Sequence, residues 1–296
     1  LYAFAGYRLL PAFQQIYASI TQLRFVSPSL NAIHEDIKNL EPKIIQKDKK
    51  TIPLNNSIVL KDLHYQYPNS SRTTVKDINI NIPMSSTVGI VGTTGSGKTT
   101  IIDIILGLLQ AQKGTLEIDN IIIDKNNCDA WQRSIGYVPQ EIFIADDTLE
   151  ANIAFGVDKK DIKQENVIQA AKIAHIHDFV NNDLPQKYLT TVGERGVRLS
   201  GGERQRIGIA RALYRDPKVL ILDEATSALD NLTEKLVMEK IRNLGDKKTI
   251  IMIAHRLSTV KNCDIIFYLE NGEIKASGTY KKLIDTSEGF KKIESK

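Results

Sequence analysis

The sequence predicts an α/β protein whose parallel sheet is covered on both faces. Three observations carry that reading. Two short apolar runs, residues 219–222 and 249–253, have the unbroken hydrophobicity of strands buried on both sides. A third run, residues 88–91, leads into a glycine-rich turn and then an apolar helix over residues 101–109, the strand–loop–helix order of a βα unit. Upstream, residues 75–82 alternate apolar and polar, the period of a strand with one wet face.

Composition narrows the classes. The 296 residues are 42% hydrophobic and 25% charged, which is ordinary for a globular protein and excludes a disordered chain. Lys+Arg 39 against Asp+Glu 35 leaves +4, so charge makes no case for a nucleic-acid partner. Cys128 and Cys263 lie far apart, match no zinc or redox spacing and read as reduced, packed thiols, which excludes a disulfide scaffold. No apolar run approaches the roughly 18 residues that a membrane span needs, so these residues read as soluble. The chain starts at Leu1 with no signal-peptide pattern, which predicts a piece of a longer polypeptide.

Residues 1–45 stand apart from the rest. An apolar-tinged stretch runs to Phe25, and Ser27-Pro28 then reads as a helix start, a capping hydroxyl followed by proline where no amide donor is needed. Leu30, Ile33, Ile37 and Leu40 recur at helical spacing until Glu41-Pro42 stops them. The polar run 43–56 reads as a solvated linker. From Ile58 onward, strands are expected over residues 58–60, 75–82, 88–91 and 116–123, and helices over 166–178 and 203–214. Residues 265–269 followed by Glu270-Asn271-Gly272 read as a hairpin. His175 and His177, at alternate positions of one expected helix, point apart, which argues against a metal site.

The chemistry concentrates at Gly92-Thr93-Thr94-Gly95-Ser96-Gly97-Lys98-Thr99, which satisfies the phosphate-loop pattern G-x-x-x-x-G-K-[ST]. Glycines let successive amides turn inward toward phosphate oxygens, and the following helix adds positive potential from its N-terminus. Lys98 is then expected to bridge the β and γ phosphates, and the Thr99 hydroxyl to ligate Mg²⁺. Asp223-Glu224 follows the apolar run 219–222, so Asp223 is expected to hold Mg²⁺ and Glu224 to polarise an attacking water as general base.

Between these two features lies Leu199-Ser200-Gly201-Gly202-Glu203-Arg204-Gln205-Arg206, which closely resembles the signature of ABC-type ATPases, with Glu203 where Gln is more usual. By that resemblance Tyr67 is the aromatic on which adenine stacks, and Gln140 is the glutamine that senses Mg²⁺ and the γ-phosphate. Ser227–Asp230 is the loop that crosses to a second copy, and His255 contacts the γ-phosphate. The nucleotide site it implies comprises Tyr67, residues 92–100 including Thr100, Gln140, Asp223, Glu224 and His255 of one copy. Ser200, Gly201, Gly202 and Glu203, with Asp230, come from the other. The implied fold is a P-loop NTPase with a RecA-like core, an antiparallel β subdomain and an inserted helical subdomain over about residues 146–217.

Thr191-Val192-Gly193-Glu194-Arg195-Gly196 is similar to a loop of ABC exporters that touches transmembrane helices, and residues 146–153 resemble the exporter stretch where partner helices dock. The resemblance implies that residues 1–45 are the cytoplasmic end of a last transmembrane helix with its connecting helix, 46–57 a linker and 58–296 the ATPase. It further implies ATP and Mg²⁺ as cofactors, a head-to-tail homodimer, a transmembrane domain in the same polypeptide and a location at the cytoplasmic face of the inner membrane. The alternative is a soluble ABC-type ATPase of nucleic-acid maintenance or translation. It lacks support here, because no long coiled-coil insertion and no second cassette is visible.

Overall fold

The computed structural model describes residues 2–39, 50–68, 70, 72–194, 197–244, 248–254 and 257–294. The chain divides into two units, Leu1–Lys49 and Lys50–Lys296. The first unit consists, in its described residues, of one helix, α1 (Tyr2–Asn39), which continues through Pro11 and Pro28. Ser27-Pro28 is therefore not a helix start. Proline's fixed φ is already helical, and the single hydrogen bond that it removes is bridged by intact turns on either side. The expected stop at Glu41-Pro42 lies outside the described residues.

The second unit begins with β1 (Ser57–Tyr65), β2 (Val75–Pro83) and β3 (Thr87–Gly92), then α2 (Lys98–Ile105), β4 (Lys113–Ile118) and β5 (Ile121–Ile122). It continues with α3 (Cys128–Gln132), β6 (Ile135–Val138), β7 (Asp147–Thr148), α4 (Leu149–Ile153), α5 (Gln164–Ile173), α6 (His177–Asn182) and β8 (Thr191–Val192). Last come α7 (Gly201–Leu213), β9 (Val219–Asp223), α8 (Asn231–Arg242), β10 (Thr249–Ala254), α9 (Leu257–Val260), β11 (Ile265–Glu270), β12 (Glu273–Gly278), α10 (Tyr280–Thr286) and α11 (Glu288–Glu294).

The central six-stranded sheet has the order β12-β11-β3-β10-β9-β6 and is parallel except for the β11–β12 hairpin. Alternation along β9 and β10 divides the core. Val219, Ile221, Ile251 and Ile253 face α2 and the antiparallel sheet β2-β1-β4-β5. Leu220, Leu222, Ile250 and Met252 face the layer that holds α5, α7 and α8. Strands covered on both faces in this way need no polar alternation, which is why they read as continuous apolar runs. The antiparallel sheet fixes the start of the unit: Asp119 accepts from the amides of Asn55, Asn56 and Ser57 at 2.7–2.9 Å, so the end of the polar run is tied down.

Several elements are shorter than periodicity suggests. The expected strand 116–123 is a hairpin, because Asp119 and Asn120 take φ of 49° and 68°, the pair of left-handed residues that a tight two-residue turn requires. The expected helix 166–178 is two helices separated at His175, whose φ is 56°. His175 and His177 thus do not share a helix, and His177 Nδ1 lies 2.7 Å from the Tyr188 hydroxyl. The helix expected over 101–109 starts earlier, at Lys98, and ends at Ile105, two residues before Gly107 turns left-handed with φ 68°. β7 and β8 form a small antiparallel pair that no sequence pattern announces.

Candidate functional site

The phosphate loop lies at the C-terminal end of β3, the position where parallel sheets present ligand sites. A Cβ on Gly92 would sit 2.3 Å from the Leu269 carbonyl oxygen, so only glycine lets β3 end this close to β11. Gly97, at φ 101°, caps α2 without any side-chain cap bond. Lys98 is buried and its ammonium donates to the carbonyls of Gly92 at 2.9 Å and Thr93 at 3.0 Å. Burial lowers its pKa, and the charges of Glu224 and Asp223 oppose that shift. The Ser96 hydroxyl is buried with no hydrogen-bond partner among the described residues. Thr93, Thr94, Gly95 and Thr99 are exposed around this pocket of donors.

Opposite the loop, β9 ends in Asp223, which is buried and whose pKa is raised by that burial and then by the neighbouring Glu224 charge. The Tyr137 hydroxyl donates to Asp223 Oδ2 at 3.4 Å, and burial followed by the Asp223 charge pushes the tyrosine pKa up. Glu224 departs from strand geometry with φ 48°, and its amide donates to Ile253 O at 3.2 Å. That bend carries its side chain to Gln140, whose Nε2 donates to Glu224 Oε2 at 3.1 Å across 84 residues of sequence. His255 lies outside the described residues.

These residues fit a Mg²⁺–nucleotide. An unpartnered buried hydroxyl, an uncapped helix N-terminus and a buried ammonium are donors for phosphate oxygens. A carboxyl whose ionisation is opposed by burial and by a second carboxylate is a donor that a divalent cation would stabilise.

The remaining expected residues lie further out. Tyr67 is partly exposed, packs edge-to-face on buried Tyr65 with ring centroids 5.1 Å apart, and shares a 3.3 Å hydrogen bond with the Thr100 hydroxyl. The Ser200–Glu203 turn is not beside the phosphate loop of its own chain in any described contact; it faces the loop after Glu224. A Cβ on Gly201 would lie 3.3 Å from that of Ala228, and one on Gly202 would lie 3.4 Å from Ala228 O. The expected helix 203–214 starts earlier, at Gly201. There Ser200 and Glu203 form a capping box: Ser200 N donates to Glu203 Oε2 at 2.7 Å and Glu203 N donates to Ser200 Oγ at 3.3 Å. Asp230 caps α8, accepting from the amides of Leu232 and Thr233.

Sequence reasoning passed over Tyr137, Asn152 and Gln205. The last left a signal: it falls on the same helical face as Ile209 and Leu213, so a polar side chain interrupts a buried stripe.

A parallel sheet with a phosphate loop on β3, an acidic pair on β9 and a glutamine reaching across to that pair defines a P-loop NTPase. The ABC transporter family profile matches residues 75–227, and the chain belongs to that family as a nucleotide-binding domain of the exporter type. It is 42% identical over 230 residues to an ATP-dependent lipid A-core flippase of Saccharophagus degradans, covering 78% of this chain and 39% of the flippase. It is 41% identical over 228 residues to heavy metal tolerance factor 1 of Caenorhabditis elegans, covering 77% of this chain and 28% of that protein. A bacterial Atm1-family ABC exporter with ATP bound matches its structure with a TM-score of 0.81 at 31% identity, over 98% of this chain and 50% of the exporter. The chain thus spans half or less of the length of each of these three proteins. All three are exporters, flippases or tolerance factors, which leaves the nucleic-acid reading without support.

Proposed function

We propose that this chain hydrolyses ATP between two of its copies in a head-to-tail dimer, and that the closing and reopening of that dimer drives a transmembrane domain of the same polypeptide to export or flip a substrate. On this reading the domains are residues 1–45 (the membrane-proximal helix), 46–57 (a linker) and 58–296 (the ATPase), with a helical subdomain over about 146–217. The dimer would work at the cytoplasmic face of the membrane. No helix among the described residues is long and apolar enough to cross a bilayer. Yet α1 exposes Phe4, Phe13, Phe25 and many other apolar side chains, a surface suited to a further partner.

The observation that carries the catalytic part is the Gln140–Glu224 hydrogen bond, since it joins a residue after β6 to the carboxylate beside Asp223. Tyr67 offers its ring face to adenine. Residues 92–100 supply amides and the Lys98 ammonium to the phosphates, holding the leaving β-phosphate and the γ-phosphate in line. Thr99, Gln140 and Asp223 would hold Mg²⁺, which when bound neutralises phosphate charge. Glu224 takes a proton from the attacking water, and His255 holds that water and the γ-phosphate in register. Ser200–Glu203 of the second copy close the γ-phosphate from the far side, where the capping box leaves the Gly201 and Gly202 amides at the helix N-terminus.

Glu224→Gln tests the base. Turnover should fall by about 10²–10⁴-fold, to near background, while ATP still binds and closed dimers accumulate on size exclusion. Hydrolysis at the wild-type rate in that variant would remove Glu224 from the mechanism.

A further inference from the structure

The loop between Glu224 and α8 is gripped by the helix that carries the Ser200 turn. Gln205 lies on α7 about one turn past Ser200 and is 5% exposed. Both ends of its carboxamide are used: Nε2 donates to Ser227 Oγ at 2.9 Å, and Oε1 accepts from Ala228 N at 2.8 Å. Ser227 N in turn donates to Glu224 O at 3.1 Å, so two hydrogen-bonded steps lead from Gln205 to the backbone of Glu224. The same loop presses Ala228 against Gly201 and Gly202. A second tie, Thr226 Oγ1 donating to Glu234 Oε1 at 2.9 Å, anchors the loop's other side to α8.

We propose that Gln205 is a positioning residue that makes the Ser200–Glu203 turn and Glu224 of one copy a single rigid block, and that it thereby couples the two nucleotide sites of the dimer. The inference rests on the head-to-tail reading above, in which the turn and the glutamate of one copy serve different nucleotides. A nucleotide that pulls on the Ser200 turn then shifts the Ser227–Ala228 loop through the carboxamide, and with it the glutamate at the other site. Gln205 contacts no reacting group. Its effect belongs in turnover and in cooperativity between sites, while nucleotide affinity, which residues 92–100 provide, stays unchanged.

The test compares the wild-type chain with Gln205→Leu, Ser227→Ala, the double variant, Gln205→Glu and Glu224→Gln, measuring ATP hydrolysis and binding of a fluorescent ATP analogue. Gln205→Leu keeps the volume and loses both bonds. It should lower kcat about tenfold, with KM and analogue affinity within about twofold and the Hill coefficient falling to about 1. Adding Ser227→Ala to Gln205→Leu should cost nothing more, because the bond it removes is already gone. Gln205→Glu can still accept from the Ala228 amide and from the Ser227 hydroxyl, so it should recover most of the lost turnover. Additive losses in the double variant, a wild-type Hill coefficient of 1, or a folded Gln205→Leu with wild-type kcat would each overturn the proposal. If Gln205→Leu does not fold, Ser227→Ala and Gln205→Glu carry the comparison: a loss in the first beside retained turnover in the second supports the role, and any other pattern overturns it. A wild-type chain without turnover, or a fully active Glu224→Gln, would instead sink the hydrolytic reading on which this one rests.

Discussion

Individual side chains here owe their chemistry to burial more than to identity. Lys98, Asp223 and Tyr137 all have their charged forms disfavoured by desolvation, and each is partly compensated or further shifted by the others across the site. Cys263 shows the same physics away from the site. Burial pushes its thiol up to about 12, with the Asp264 charge reinforcing the shift and Arg242 opposing it. The folded state therefore keeps a proton that the unfolded chain releases above about pH 8.5. Stability should consequently fall as pH rises from that point toward the folded value, by up to about 1.4 kcal/mol per pH unit from this group. Urea midpoints measured from pH 8 to 11 should decline less steeply in Cys263→Val; an unchanged slope would remove the thiol as the cause. At pH 8 iodoacetamide should reach half-buried Cys128 well before Cys263. The difference between the two thiols depends on depth in the fold.

At the scale of elements, long-range polar staples shape the loops that sequence patterns leave open. Asn152, on α4, is fully buried: its side chain accepts from Ala145 N at 2.9 Å and donates to Ala145 O at 2.9 Å and Thr148 O at 3.1 Å. Arg211 of α7 donates to the Asn152 carbonyl at 2.8 Å and stacks over Phe155, 4.7 Å from its ring centroid. Together these hold the turn that feeds β7, and β7 in turn pairs with Thr191–Val192. Asn152→Ala should leave the half-buried Ala145 amide without its side-chain partner, costing about 1 kcal/mol. The urea midpoint should drop accordingly, and amide exchange should quicken first in residues 145–148 and 191–192. A midpoint equal to wild type would mean that the turn is held by other contacts. The hairpin turn at Asn271-Gly272 was legible at this scale. Capping was not: the helix start read at Ser27-Pro28 lies inside α1, and the capping box of Ser200 and Glu203 starts α7 two residues before the expected helix. The break at His175 was not legible, because apolar residues on both sides keep helical spacing and only the left-handed φ of that residue separates the two helices.

For the whole molecule, nucleotide binding and folding are linked. A ligand that binds only the native state at about 100 times its Kd adds about 2.7 kcal/mol. For a unit of this size that corresponds to a rise of about 5–10 °C in Tm. Thermal scans with ATP and Mg²⁺ should show that rise for wild type and Glu224→Gln and lose it in Lys98→Ala; an equal rise in Lys98→Ala would place the nucleotide elsewhere. The sequence by itself determined the phosphate loop, the acidic pair after an apolar strand, the Ser200 turn and the covered parallel sheet. Each of these depends on residues within one turn or one strand of each other, where local geometry leaves few alternatives. Only the tertiary structure decided that Gln140 meets Glu224 and that Gln205 holds Ser227 and Ala228. A polar side chain can pair with any other that the fold brings within about 3 Å. Which partner it finds, across 22 or 84 residues of chain, is settled by the order of strands in the sheet and not by the residues themselves.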